Sequence, residues 1–330
     1  MIRLASGPGA GRPTIHGAPD SGRGRLFTGG PGFLRVSGPR PVAGVRFEAM
    51  LGTMNVIVSP ISKLGELVNR SVGGFGRFTG FAGTTAYWIV TQPSSWTRWR
   101  ILAPQIYAVG VLSIPVVALT GMFIGMILAL EGFAQFAAIG QEDRIGGVIN
   151  ASVTKQIGPV LAAVMVAGRV GGALAAELGT MKVTEQLEAL KAMGSDPIRV
   201  LVVPRLVACI IMTPILTIYS DILGAWGAWF VVVEIFGVPG ADYWYHSAAF
   251  VTWWEPVGGL SKSLFFGAAI GLAACYKGFF CRPGAAGVGN AATAAFVSSF
   301  IAIIMINLVL AKFLNEFRNL VDPLEASFFF

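Results

Sequence analysis

Five long apolar segments dominate this sequence and limit what it can fold into. Each has roughly the 20 residues that a helix needs to cross the hydrocarbon core of a bilayer. Pro115, Pro159 and Pro214 fall within them and predict kinks, which neighbouring helices tolerate in a membrane. The segments are Ile106–Leu130, Ile145–Gly168, Leu206–Val233, Val257–Tyr276 and Ala291–Ala311. The pattern therefore predicts an all-α integral membrane protein with five transmembrane helices.

The composition agrees with lipid as the main solvent. Of the 330 residues, 54% are hydrophobic and 12% are charged, with a mean hydropathy of +0.69, whereas soluble domains carry about 25% charged residues. Glycine pairs at GxxxG spacing, Gly121 with Gly125 and Gly267 with Gly271, favour close helix packing.

Outside the apolar segments the chain changes character. Residues 1–49 are rich in Gly, Pro, Arg and Ser, which predicts a disordered leader. This leader is either an organelle transit peptide or a mis-assigned gene start, with Met50 or Met54 as the initiator. Tyrosine and tryptophan among alternating apolar and polar residues predict an interfacial amphipathic helical region over 50–100, with a short soluble hairpin as the alternative. A five-span domain over 101–315 and a short C-terminal tail over 316–330 complete the predicted organisation.

The distribution of Lys and Arg between the loops predicts the orientation, because basic loops are retained on the cytoplasmic side. The loops after the second and fourth segments are basic, and those after the first and third are predominantly acidic. The basic residues are Lys182, Lys191, Arg199, Arg205, Lys277 and Arg282, and the acidic ones are Glu142, Asp143, Asp242 and Glu255. We therefore expect the N-terminus inside and the C-terminus outside. The expected location is the inner (cytoplasmic) membrane, or an organelle inner envelope if the leader is a transit peptide.

Charge, cysteine and histidine content argue against several function classes. The net charge is +7, but the first 49 residues hold seven arginines, so a nucleic-acid partner is not predicted. The three cysteines form no CxxC pair and the two histidines stand alone, so no metal site is expected. The sequence has no Gly-Lys pair and hence no P-loop to bind ATP phosphates. We predict no catalytic residues, no bound cofactor and no enzymatic activity, with any ATP used by a partner subunit.

The segment between the second and third spans is too short and too charged to cross a membrane. Within Val183–Met193, Val183, Leu187 and Leu190 share one helical face, while charged residues lie elsewhere around the wheel. Ser195 and Asp196 are both placed to cap the next helix, with Pro197 in its first turn. A short, stiff cytoplasmic helix braced between two spans is therefore predicted.

This connecting segment also carries a family resemblance. The run LGTMKVTEQLEALKAMGSDPIRVLVVPR, preceded by GPVLAAVMVAGRVGGALAAE, resembles the MlaE-type permeases of MCE-associated ABC transporters, a family that includes a plastid lipid permease. The similarity covers about residues 105–315. Further matches are GMFIGMILALEGF, SKSLFFGAAIG and GVGNAAT.

The resemblance implies partners and a coupling site. It identifies the short cytoplasmic helix as the element that docks into a separate ABC ATPase subunit. It also implies an MCE-domain substrate-binding protein on the outer side, a homodimer, and phospholipid as the cargo. The candidate coupling residues are Lys182, Thr184, Glu185, Gln186, Glu188 and Lys191.

A second set of residues is implied to line the lipid path, since ionisable groups inside spans are costly and usually face a cavity. These are Leu128, Glu131, Gln135, Ile139, Lys155, Gln156, Ile157, Lys262 and Asn307. Relatives commonly carry acids where this chain has Gln156 and Asn307, which puts in doubt any mechanism that needs those acids to titrate. Hydrogen bonding between helices is the alternative role for the polar members, and Asp221 and Arg169 are predicted to be structural.

We therefore interpret the chain as the permease subunit of an ABC transporter for phospholipid or a similarly apolar molecule. A secondary transporter or channel for a small solute is the alternative, but the sequence shows no inverted repeat. A membrane-embedded lipid-modifying enzyme would need a nucleophile, a His-acid pair or a metal cluster within the spans, and these are missing.

Overall fold

The computed structural model describes residues 69, 72–93 and 99–321. The chain divides into two compact units, Met1–Gly65 and Glu66–Phe330, and only the second contains described residues. The expectations for the leader, for residues 50–68 and for most of the C-terminal tail lie outside the described residues.

Every regular element among the described residues is helical, which confirms the all-α prediction. The helices are α1 (72–91), α2 (Trp99–Val109), α3 (Ile114–Ala138), α4 (Ile145–Ser152), α5 (Gly158–Val166), α6 (Gly172–Val183), α7 (Gln186–Ala192), α8 (Val203–Trp229), α9 (Gly240–Phe250), α10 (Trp254–Phe279) and α11 (Ala285–Val321).

Within the described ranges, five helical stretches are long and apolar enough to cross a membrane, as the sequence predicts. They are span 1 (Trp99–Ala138), span 2 (Glu142–Val183), span 3 (Ile198–Ile235), span 4 (Trp254–Phe279) and span 5 (Ala285–Leu320). Each is longer than its apolar segment, because backbone hydrogen bonding continues past the residues that contact lipid. Span 1 begins at Trp99, inside the region predicted as interfacial, and span 5 runs into the predicted tail.

Two of the three prolines that predict kinks, Pro115 and Pro159, lie at the start of helical segments. Pro115 lies in the first turn of α3 after a 3₁₀ turn, and Pro159 in the first turn of α5 after the π turn Val153–Ile157. Proline is tolerated in a first turn because it has no N–H to donate. Pro214 alone of the three lies inside a regular helix, α8.

Spans 2, 3 and 4 form the centre of the bundle. The most apolar part of span 3 is 67% buried, against 22% for span 1 and 17% for span 5. The predicted GxxxG pairs pack against span 3: a Cβ added to Gly125 would collide with the Gly224 carbonyl, and one added to Gly267 with the Cys209 carbonyl. Small residues therefore set the spacing of these spans.

Helix α1 packs at one end of the bundle. Its Phe81 ring contacts Tyr276 and Phe279 of span 4, and the Trp88 indole N–H donates to Asp196 at 2.9 Å. This end carries the basic loops, and we call it the inner end, following the charge distribution in the sequence. The opposite end is the outer end.

Helix α9 lies at the outer end, where the sequence predicts only a loop. Asn150 Nδ2 donates to Ser247 Oγ at 2.8 Å, and the Tyr243 hydroxyl lies 3.2 Å from both Asn150 Oδ1 and the Ala225 carbonyl oxygen. Burial raises the pKa of Tyr243 to about 12, so its hydroxyl stays a neutral donor. These contacts hold α9 against spans 2 and 3.

Candidate functional site

The short helix at the inner end, α7, begins later than predicted. Glu185 adopts a left-handed conformation, with φ of 59°, and separates α7 from span 2. Val183 and Lys182 therefore belong to the last turn of span 2, and Thr184 to the turn between the two helices. The predicted helix over Val183–Met193 is wrong at its N-terminal end, because hydrophobic spacing cannot reveal a single left-handed residue.

Helix α7 is braced against the bundle. Leu187 is buried, and Lys182 Nζ donates to the Phe279 carbonyl oxygen at 3.0 Å. The Lys191 ammonium lies 5.9 Å from the centre of the Phe279 ring. Asp196 accepts the Ile198 N–H at 2.9 Å, so it caps the following helix as predicted. The Lys191 contact ties α7 to span 4, the Lys182 bond ties the end of span 2 to span 4, and Asp196 caps the start of span 3.

The other face of α7 is open. Glu185, Gln186, Glu188 and Lys191 are exposed. The side chains of Glu185 and Glu188 make no hydrogen bond or ion pair with any described residue. The candidate coupling residues thus divide into a bracing residue, Lys182, and an exposed set. Their part in docking an ATPase stays a prediction.

A buried lysine in the outer half of span 4 organises the second site. Lys262 is 2% exposed, and its ammonium donates to Gln156 Oε1 at 2.7 Å and to the Lys155 carbonyl oxygen. Pro159 lacks an N–H, so the carbonyl of Lys155, four residues earlier, has no α-helical donor. The Lys262 ammonium satisfies this carbonyl and joins span 4 to span 2.

A cavity of about 270 Å³ lies beside this lysine, between spans 2, 4 and 5. Glu255 and Arg318, 2.9 Å apart in an ion pair, link the outer ends of spans 4 and 5. The rings of Trp254 and Phe317 stack beside this pair. The cavity is lined by Lys155, Gln156, Trp254, Gly258, Lys262, Ala311, Leu314 and Asn315. We call this space the outer cavity.

The structure brings together only some of the predicted lipid-path residues. Lys155, Gln156 and Lys262 line the outer cavity, whereas Ile157 and Asn307 do not. Asn307 lies four residues before Ala311, hence on the same face of span 5 one turn further in. Its Oδ1 is buried and makes no hydrogen bond within the described part of the chain.

The span 1 candidates lie apart from the outer cavity. Glu131 and Gln135 are exposed in the outer part of span 1, and Ile139 is exposed directly after it. Leu128 is half-buried among apolar residues of spans 1, 2 and 3. Within the one described chain, this outer part of span 1 meets no outer-cavity residue. Its role in a lipid path stays a prediction that depends on a second protomer.

Sequence reasoning missed the Glu255–Arg318 pair. From the sequence, Glu255 was predicted only to be an acidic residue of an outer loop, and Arg318 was assigned to the C-terminal tail. The buried acid and the half-buried base are 63 residues apart, so no local pattern connects them.

The two residues predicted to be structural are half-buried and contact neighbouring helices. Arg169 donates to Ser113 Oγ at 2.7 Å, and the Asp221 carboxylate lies against Gly158.

Comparison with known proteins decides the family. The family model described as Permease MlaE matches residues 102–313, well over half of the chain. The chain belongs to the MlaE permease family. The match contains α7 and most of the outer cavity, while α1 and Arg318 lie outside it.

Individual relatives agree with this assignment. A probable ABC transporter permease protein of Rickettsia conorii is 38% identical over 78% of this chain and 96% of its own length. The intermembrane phospholipid transport system permease protein MlaE of Haemophilus influenzae is 33% identical over 77% of this chain and 97% of its own. The chloroplastic protein TRIGALACTOSYLDIACYLGLYCEROL 1 of Arabidopsis thaliana is 34% identical over 69% of this chain and 65% of its own length.

Proposed function

We propose that this chain is the permease subunit of an ABC transporter that moves phospholipid. The observation that carries the proposal is the MlaE-family match over 102–313, which spans both α7 and the buried lysine of the outer cavity. Family membership favours this function over the secondary transporter or channel for a small solute.

In this proposal a separate ATPase subunit drives transport through α7. The helix is short and rigidly attached to spans 2, 3 and 4, so motion of a partner bound to its exposed face passes directly to the spans. The exposed carboxylates of Glu185 and Glu188 supply the contacts. ATP is bound by the partner, and this chain needs no cofactor.

The outer cavity is the proposed place where a lipid headgroup meets the chain. Lys155 and Lys262 offer positive charge to a phosphate, and a charge contact is strong where water is excluded. Gln156 is neutral, so it accepts a hydrogen bond from Lys262 without cancelling the charge of the ammonium. A phosphate that enters the cavity therefore meets no competing carboxylate at residue 156.

The remaining partners follow from the family and are also proposed. Two copies of the chain form a homodimer, and the outer part of span 1 with Glu131 and Gln135, together with the adjacent Ile139, lines the lipid path between them. An MCE-domain protein binds the outer side and exchanges lipid with the permease. The assembly resides in the inner membrane of the cell, or in an organelle inner envelope if the leader is a transit peptide.

The test is purification of the full chain with its cognate ATPase, followed by mass spectrometry of the extracted lipid. The expected result is a stable complex that retains phospholipid. Lys262→Met should reduce the retained phospholipid while the ATPase stays bound, and Lys312→Met, at an exposed lysine of span 5, should have no effect. A complex without phospholipid, or no complex at all, would overturn the proposal.

A further inference from the structure

A second cavity lies in the inner half of the bundle, on the side of span 4 that faces α1. Its volume is about 770 Å³. Spans 4 and 5 form its walls, and α1 contributes Gly74 and Phe78. Phe265, Leu272 and Ile301 give it an apolar surface. We call this space the inner groove, and it shares no lining residue with the outer cavity.

We propose that the inner groove binds a phospholipid of the cytoplasmic leaflet, with one acyl chain in the groove and the phosphate beside Lys277. This site goes beyond the proposed transport function, because it requires neither transport nor an occupied outer cavity.

The length of the groove fits this occupant. Along span 4 it extends from Phe265 to Lys277, and twelve residues at 1.5 Å rise give about 18 Å. Half of the hydrocarbon core of a bilayer is about 15 Å thick. The groove is therefore as deep as one leaflet, and it begins at the inner end, where the headgroups of the cytoplasmic leaflet lie.

The charge at its inner rim fits a phosphate. Lys277 is half-buried and makes no hydrogen bond or ion pair with any described residue. The neighbouring Lys182, by contrast, is held by the Phe279 carbonyl oxygen. An apolar groove that ends at one unneutralised ammonium suits an amphiphile with an anionic head, whereas a polar solute would lose its hydration along the walls.

Gly74 of α1 lines the groove. A Cβ added to Gly74 would meet no atom within 4 Å, so a larger side chain fits there without strain, and we expect it to occupy part of the groove. Gly83 in the same helix is equally open but lines no part of the groove. The pair provides a matched experiment, because both changes replace glycine in one helix and raise its helix propensity equally.

The experiment uses the full chain in lipid nanodiscs with a small fraction of phosphatidylglycerol that carries a photoreactive group in one acyl chain. Crosslinked peptides are mapped by mass spectrometry. Crosslinks should saturate with probe concentration and fall on 265–277 and 72–78. Gly74→Leu should remove most of them, and Gly83→Leu should leave them unchanged. Lys277→Gln should weaken probe binding about fivefold, since a basic residue near the membrane surface contributes roughly 1 kcal/mol.

Three results would overturn the inference. Crosslinks spread evenly over lipid-facing residues such as Ile304 and Met305 would show bulk lipid only. Equal labelling of the Gly74→Leu and Gly83→Leu proteins would show that the acyl chain does not lie in the groove. Absence of probe crosslinks at 265–277 and 72–78 at saturating probe would show that no lipid enters the groove. A transport defect without loss of crosslinking would bear on the proposed function and leave the groove site intact.

Discussion

At the scale of single residues, the most informative group is Lys262 with its two acceptors. The sequence predicts that Lys155, Gln156 and Lys262 lie inside spans, and they were candidates for the lipid path. The position of Pro159 implies that the Lys155 carbonyl lacks an α-helical donor, but only the structure shows that Lys262 supplies one. That pairing joins spans 2 and 4 and depends on tertiary packing.

The first prediction removes this ammonium. Lys262→Met leaves the Lys155 carbonyl and the Gln156 amide oxygen without their donor in a buried place, which costs about 1–3 kcal/mol. Thermal unfolding of the purified protein in detergent should therefore occur at a lower temperature than in wild type. Lys312→Met is the matched control and should unfold like wild type. Equal stability of all three proteins would show that the Lys262 contacts contribute nothing.

The second prediction concerns the Glu255–Arg318 pair. Arg318→Met leaves a buried carboxylate without its partner and should lower the free energy of unfolding by about 3–5 kcal/mol. The double variant Glu255→Gln with Arg318→Met removes both charges and should recover part of the loss. Denaturant unfolding of the single and double variants measures the coupling. Additive losses would argue against an interaction between the two side chains.

At the scale of helices, the number of spans follows from apolar segments in the sequence, whereas the ends of the spans and the position of α9 depend on packing. The five spans were predictable because each needs about 20 apolar residues. Their true ends were not, because α2 and the outer turns of α3 contain polar residues that still continue the helix. Helix α9 was missed since its anchors, Tyr243 and Ser247, bind a residue almost a hundred positions away.

The close approach of spans 1 and 3 gives the third prediction. Gly125→Leu places a side chain against the Gly224 backbone, so span 1 must move away and the protein should unfold at a lower temperature. Gly132→Ala in the same helix is the control, because its Cβ meets Ile145 at an ordinary 3.6 Å. A Gly125→Leu protein as stable as wild type would contradict the observed spacing of these spans.

Charge reversal on α7 gives the fourth prediction. Glu185→Lys combined with Glu188→Lys should abolish association with the cognate ATPase in co-purification and leave the protein folded, since neither side chain contacts a described residue. The control reverses Glu142 and Asp143, an exposed pair of acids at the outer end. Unimpaired ATPase association of the α7 variant would show that these two carboxylates do not contribute to the interface.

At the scale of the whole molecule, the proposed function requires that the end carrying α7 faces the cytoplasm. Cys281 is buried against the Gly179 carbonyl, so its protection from a thiol reagent carries no information on sidedness. Arg282 and Asn319 are exposed at opposite ends of the bundle. In intact cells, Asn319→Cys should react with a membrane-impermeant maleimide, and Arg282→Cys should react only after lysis. The reverse pattern would invert the orientation.

The central claim is that this MlaE-family chain moves phospholipid at the expense of ATP hydrolysed by a partner. The most direct measurement is transfer of fluorescent phospholipid by proteoliposomes that contain the chain, its cognate ATPase and an MCE-domain acceptor. We expect transfer that requires ATP and is lost in the Glu185→Lys, Glu188→Lys protein. Transfer that is equal with and without ATP, or ATP hydrolysis with no lipid movement, would contradict the claim.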